Sequence, residues 1–123
     1  MLTKNPTGPL TVPRCVVARI ADVSTNETIY LALPKCRVTK IWSVLTGTID
    51  TADAVIDAYK NAVAITGGKI TIANAGSAAG DIDFCQPSAL NEFDGVNDYL
   101  KIINVGASGN VVPVLVTVEY ELI

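Results

Sequence analysis

The feature that most constrains this chain is the way its apolar residues recur. From Cys15 onward they fall in short runs, many with a period of two, each stopped by glycine, proline or asparagine. The closing run is the clearest. Val112, Val114, Val116, Val118, Tyr120 and Leu122 share one parity, while Glu119 and Glu121 hold the other. Side chains on a strand alternate between two faces, so this run buries one face and leaves the other to solvent. Thr28–Leu33 repeats the pattern, with Ile29, Leu31 and Leu33 on one side and Pro34 as the stop. Hydrophobic residues make up 50% of the chain but aromatics only 6%, so the apolar content is mainly Val, Ile, Leu and Ala. β-Branched side chains suit a pleated surface. The expected fold is all-β: a single-domain antiparallel β-sandwich or β-barrel over residues 14–123, with residues 1–13 as an extended N-terminal arm.

In the arm, Pro6, Pro9 and Pro13 fix φ and remove backbone donors, which disfavours both helix and central strand. Leu2, Leu10 and Val12 give it something apolar to bury. Such a segment is either a fraying terminus or an arm that orders on a partner. Beyond it, strands are expected at Cys15–Asp22, Thr28–Leu33 and Arg37–Thr46. Trp42, a lone tryptophan in an apolar strand, reads as a core residue. Val63 and Ile65, Gly67-Gly68, then Ile70 and Ile72 read as a hairpin turned on the glycines. Asp81–Phe84 is a short strand, Pro87–Gly95 a connector, and Leu100–Val105 with Val111–Leu122 a last hairpin joined by Gly106–Asn110. Thr51–Ala64 resists this reading. Val55, Ile56, Tyr59 and Val63 fall at helical spacing, with Asp50 or Thr51 as a cap. The alternative is a strand at Ala54–Lys60 turned at Asn61.

The side-chain inventory argues against catalysis. The chain has no histidine, which removes the commonest general base and metal ligand. Cys15, Cys36 and Cys85 are far apart, with no C-x-x-C spacing, and read as buried thiols. Asp81, Asp83, Asp94 and Asp98 lack the glycine and closing glutamate of a calcium loop, so they read as solvated turn carboxylates. No phosphate-binding glycine loop is present. No cofactor and no metal are expected, and the chain is not expected to be an enzyme. Tyr30, Tyr59, Tyr99 and Tyr120 are spread through the sequence, though space could gather them into a sugar-binding platform.

The formal net charge is −3, but residues 1–40 carry +4 and the remainder −7. Lys4, Arg14, Arg19, Lys35, Arg37 and Lys40 are too dispersed for a nucleic-acid footprint, and a basic edge meeting an acidic protein surface fits them better. The first residues lack the apolar core of a secretory signal, and no run is long and apolar enough to span a membrane. Synthesis in the cytoplasm without processing is the expectation.

Three stretches bear a further likeness: Thr46-Gly-Thr-Ile-Asp-Thr-Ala-Asp-Ala-Val55, Ala62-Val-Ala-Ile-Thr-Gly-Gly-Lys-Ile-Thr-Ile72, and Gly76-Ser-Ala-Ala-Gly-Asp81, followed by the valine-rich closing strand. This order resembles the small decoration (cement or head-stabilising) proteins of tailed bacteriophages. The resemblance covers about the last two thirds of the chain and is judged by pattern. It implies a compact β-sandwich or β-barrel on the outside of the assembled shell, bound to the major capsid (coat) protein. It also implies self-association, often as a trimer, and a strand rather than a helix at Ala54–Lys60, the reading adopted here. On that analogy the arm, with Leu2, Lys4, Pro6, Pro9, Leu10 and Pro13, contacts the capsid together with Arg14 and Arg19. The competing function is a host-surface or carbohydrate-binding β-module.

Overall fold

The computed structural model describes residues 3–4, 10–11, 13–106 and 109–123. Near the N-terminus, β1 (Thr3–Lys4) pairs antiparallel with β2 (Leu10–Thr11) in a ribbon of its own. The body follows as β3 (Arg14–Ile20), β4 (Glu27–Ala32), β5 (Lys35–Leu45), β6 (Ala54–Lys60), β7 (Val63–Ile72), β8 (Ile82–Cys85), β9 (Glu92–Asp94), β10 (Tyr99–Val105) and β11 (Val114–Leu122). One sheet runs β4-β10-β6-β7 and the other β3-β11-β5-β8, with β9 pairing the far end of β5. Every pairing is antiparallel. The two sheets close on one core that includes Ile20, Val38, Ile41, Ile56, Ile70, Phe93, Leu100, Ile102, Val116 and Val118. The fold is therefore a β-sandwich, and its interleaved strand order is that of a jelly roll.

The strand reading of Ala54–Lys60 holds: β6 covers those residues, and the chain turns at Asn61, whose φ of 56° asparagine tolerates. Other expectations change at this level. Gly67-Gly68 is not a hairpin turn but lies inside the continuous strand β7. The β6–β7 ladder passes from Asp57↔Lys69 to Tyr59↔Ala64, so β7 spends extra residues there. They swing toward the second sheet, where the Thr66 amide donates to Ala89 O at 3.2 Å and Ser88 donates to Thr66 O at 2.9 Å. Gly67 has φ 76°, and a Cβ on it would sit 2.7 Å from Gln86 O, so only glycine allows this approach. β10 and β11 do not form a hairpin either. β10 belongs to one sheet and β11 to the other, so the link after Gly106 crosses the sandwich. Pro87–Gly95 gains a strand, β9, and the closing strand begins at Val114.

The crossing loops are tied at one end of the sandwich. The buried Asn104 amide donates to Val23 O (3.2 Å) and Thr25 O (2.6 Å), and Ser77 donates to Ile49 O while accepting from the Ile49 amide. The first pair ties the connection between β3 and β4 to β10, and the second ties the connection after β5 to the one after β7.

Candidate interaction surfaces

β3 is an edge strand. Among the described residues it pairs with β11 on one side only, so its other side presents backbone groups without a strand partner there. Pro13, Arg14 and Arg19 are all exposed. Arg14 and Arg19 make no ion pair or side-chain hydrogen bond among the described residues. They lie at opposite ends of the strand and on opposite parities, so the structure does not gather them into one patch. Arg14 stands at the root of the arm. Lys4 and Leu10 lie in the paired strands β1 and β2, whereas Leu2, Pro6 and Pro9 fall outside the described residues.

The outer face of the same sheet is apolar. Arg19, Leu115, Val44 and Ile82 stand side by side across β3, β11, β5 and β8, and Val17, Thr117, Trp42 and Phe84 form the next row. Trp42 is thus on the outer face and not in the core. The inward positions of β5 are Cys36, Val38, Ile41, Ser43 and Leu45. Their parity changes at Thr39, which has no opposite residue because the β11 register shifts between Glu119 and Tyr120. Lys40 lies 5.5 Å from the Trp42 ring centroid and 4.6 Å from that of Phe84. Its cation covers the rings only in part, and Phe84 remains 57% exposed.

The four-stranded sheet carries the tyrosines outward. Tyr30, Lys101 and Tyr59 lie in register across β4, β10 and β6. Tyr30 meets Tyr99 edge to face at 5.6 Å, and Lys101 sits 5.0 Å from the Tyr59 ring. Space does gather three of the four dispersed tyrosines.

Among the described residues, the side-chain hydrogen bonds and ion pairs join no cysteine to a base. Burial pushes the Cys36 and Cys85 thiols up to about 11, so both stay protonated, while Cys15 is exposed. Burial, with repulsion from Asp81, raises the Asp83 carboxyl above its usual range. The backbone N–H groups of Asp98, Val96 and Asn97 donate to Asp94 and lower it. A groove at that end of the sandwich, lined in part by Lys35, Lys60, Glu92, Asp94 and Asp98, mixes both signs of charge. Among the described residues no three His, Cys, Asp or Glu side chains converge as metal ligands, and no helix is long and apolar enough to cross a membrane. No protein-family model matches the chain, and no curated protein sequence matches it.

Proposed function

We propose that this chain is a structural virion protein that binds the outside of a tailed-phage capsid and stabilises the expanded shell. The observation that carries this reading is the open edge strand β3, continuous in sequence with the arm and bearing at the junction an Arg14 that has no ion pair among the described residues. An unpaired strand edge with a free guanidinium is a ready contact for an acidic protein surface. The jelly roll behind it is an architecture also found in capsid and lectin domains, and this fold-level analogy supports the reading. The arm and Arg14 meet the coat protein, and self-associated copies bridge neighbouring coat subunits. Binding that exists only on the expanded shell stabilises that state by linkage, and symmetric repetition multiplies a modest contact. The mechanism is mechanical: no bond is made or broken.

The test is co-sedimentation of the protein with expanded shells of the source phage, together with the shell melting temperature. The full chain should bind saturably and raise that temperature. Removal of residues 1–13 and Arg14→Glu should each weaken binding. A full chain that neither binds nor shifts the melting temperature refutes the capsid reading. One observation favours the alternative of a carbohydrate-binding module: the outward Tyr30, Tyr59 and Tyr99, with Lys101 among them. A glycan screen that returns binding lost in Tyr30→Ala would move the assignment there.

A further inference from the structure

The capsid reading uses the edge of β3 and leaves the outer face of the opposite sheet without a role. That face is ordered in rows across the strands. Tyr30, Lys101 and Tyr59 share one row over β4, β10 and β6, and Ile103, Asp57 and Lys69 share the next over β10, β6 and β7. Tyr99 stands one row to the other side, opposite Ala32. Tyr30 is 65% exposed, and Tyr99 meets it edge to face at 5.6 Å. The contact braces Tyr30, while its exposure leaves most of its surface open to a ligand. Lys101 lies 5.0 Å from the Tyr59 ring centroid and has no ion pair among the described residues. The carboxylate in these rows, Asp57, stands directly opposite Lys69. Lys101 stands opposite tyrosines on both sides, so it is the cation of this face with no carboxylate across from it.

These groups match the two sides of an acidic sugar. A pyranose ring shows carbon-bound hydrogens on its broad face and hydroxyls at its rim. Tyrosine complements that pattern, with an apolar ring for the face and a hydroxyl for the rim. Lys101 stands one strand spacing from Tyr30, about 4.8 Å. A sugar laid on Tyr30 therefore carries a ring carboxylate within reach of the Lys101 ammonium. The Tyr59 ring holds that ammonium at the surface by a cation–π contact. A carboxylate arriving there gains a charge-assisted hydrogen bond and displaces no carboxylate of the protein. We propose that the outer face of β4, β10 and β6 binds carboxylate-bearing saccharides, with Tyr30 as the stacking ring and Lys101 as the partner of the carboxylate. The assignment rests on the saccharide reading of this face and adds the charge of the ligand. A neutral sugar leaves Lys101 without a counter-charge. A nucleic-acid strand calls for a track of cations along its phosphates, and these rows offer two lysines beside Asp57. An acidic peptide meets Lys101 but brings no ring for Tyr30.

The test is an NMR titration of the isotope-labelled full chain with short oligomers of galacturonate, of alginate and of sialic acid. At least one should saturate, shifting amide signals of β4 and β10, with a dissociation constant on the order of 0.1–1 mM for so open a site. Tyr30→Ala and Lys101→Gln should each raise that constant at least about tenfold at unchanged circular dichroism, and Lys101→Arg should retain binding. Galactose oligomers, which keep the ring and lack the carboxylate, should bind at least about tenfold more weakly than galacturonate. Oligoglutamate, which keeps the carboxylate and lacks the ring, should not compete. Should Lys101→Gln fail to fold, Tyr30→Ala and the galactose comparison carry the test. No saturation by any acidic oligomer, an affinity that Tyr30→Ala or Lys101→Gln leaves unchanged, or equal competition by oligoglutamate overturns the proposal. Galactose oligomers that bind as well as galacturonate also overturn it, while leaving the face a saccharide site. Tyr30→Ala and Lys101→Gln lie in the sheet opposite β3, so neither should alter co-sedimentation with shells, and the capsid reading is judged apart.

Discussion

The departure of β7 at Gly67-Gly68 can be measured with two alanine substitutions. Gly67 and Gly76 both have positive φ, 76° and 73°. An L residue there costs about 1–2 kcal/mol in either place. The surroundings differ. A Cβ at Gly76 meets nothing within 4 Å, whereas one at Gly67 lies 2.7 Å from Gln86 O and 3.5 Å from Pro87 Cα. Both are backbone atoms, so a shift of strand or connector must relieve the clash, at about 1–3 kcal/mol by analogy with overpacked cores. Alanine also lowers the entropy of the unfolded chain by a similar amount at both sites, which cancels in the comparison. Gly67→Ala should therefore destabilise by about 2–5 kcal/mol and Gly76→Ala by about 1–2 kcal/mol. Urea unfolding followed by far-UV circular dichroism reads both, with midpoints compared at equal m-values. Equal midpoints for the two variants would refute the close approach of β7 to the 86–89 segment.

Three further expectations follow from buried or bonded polar groups. Asn104→Ala removes the amide that serves Val23 O and Thr25 O, and should cost about 1–3 kcal/mol in the same urea assay. Asp83 and Asp94 should give opposite pH slopes. With its folded pKa raised by burial, Asp83 favours the folded state when protonated, so its contribution declines as pH climbs through that raised value; Asp83→Asn should abolish the decline. Asp94, lowered by the Asp98, Val96 and Asn97 amides, contributes above its unfolded pKa of 3.8 and loses that contribution as pH falls through the lower folded value; Asp94→Asn should remove this acid sensitivity in pH-resolved melting. Of the three cysteines, Cys15 alone should react with a thiol reagent in the native protein, while all three react in denaturant.

Legibility in the sequence followed the locality of the cause. β4 and β11 were readable because one face is buried and the other wet, so period two survives in the residue types. β6 misleads because its inward residues are Ala54, Ile56 and Ala58, while the larger Val55 and Tyr59 lie on the outward parity. Mixing the two faces yields the helical spacing. Trp42 misleads in the same way: Ser43 is inside and the tryptophan beside it outside. The glycines of β7 look identical in a hairpin and in a bulge. What separates the two is the approach of Gln86, which local sequence does not encode. The link after Gly106 crosses between sheets because β11 must fill the place between β3 and β5, a property of the whole jelly roll. The outer-face strip was hidden for a further reason: its residues come from β3, β5, β8 and β11 and meet only through register.

The same topology changes the meaning of the charge asymmetry. In sequence the first 40 residues form a basic block. In the fold, Arg14 and Arg19 lie on β3, and Lys35, Arg37 and Lys40 on β5. The strand between them is β11, from the other end of the chain, and it brings Glu119 and Glu121. Arg37 is held by Glu121 at 3.0 Å and by Glu92 at 2.6 Å, and Lys40 lies over the Trp42 and Phe84 rings. Within this block, Arg37 is the one cation held in ion pairs among the described residues. Arg14 and Arg19, on β3, have no ion pair among the described residues. An acidic partner attracted to the arm side of this chain should therefore respond to charge reversal at Arg14 and scarcely to reversal at Arg37. A salt-dependent binding series comparing Arg14→Glu with Arg37→Glu separates the two cases, since only an exposed, unpaired cation steers association over a screening length. Equal losses for both variants would show that net charge matters and the arrangement of the strands does not.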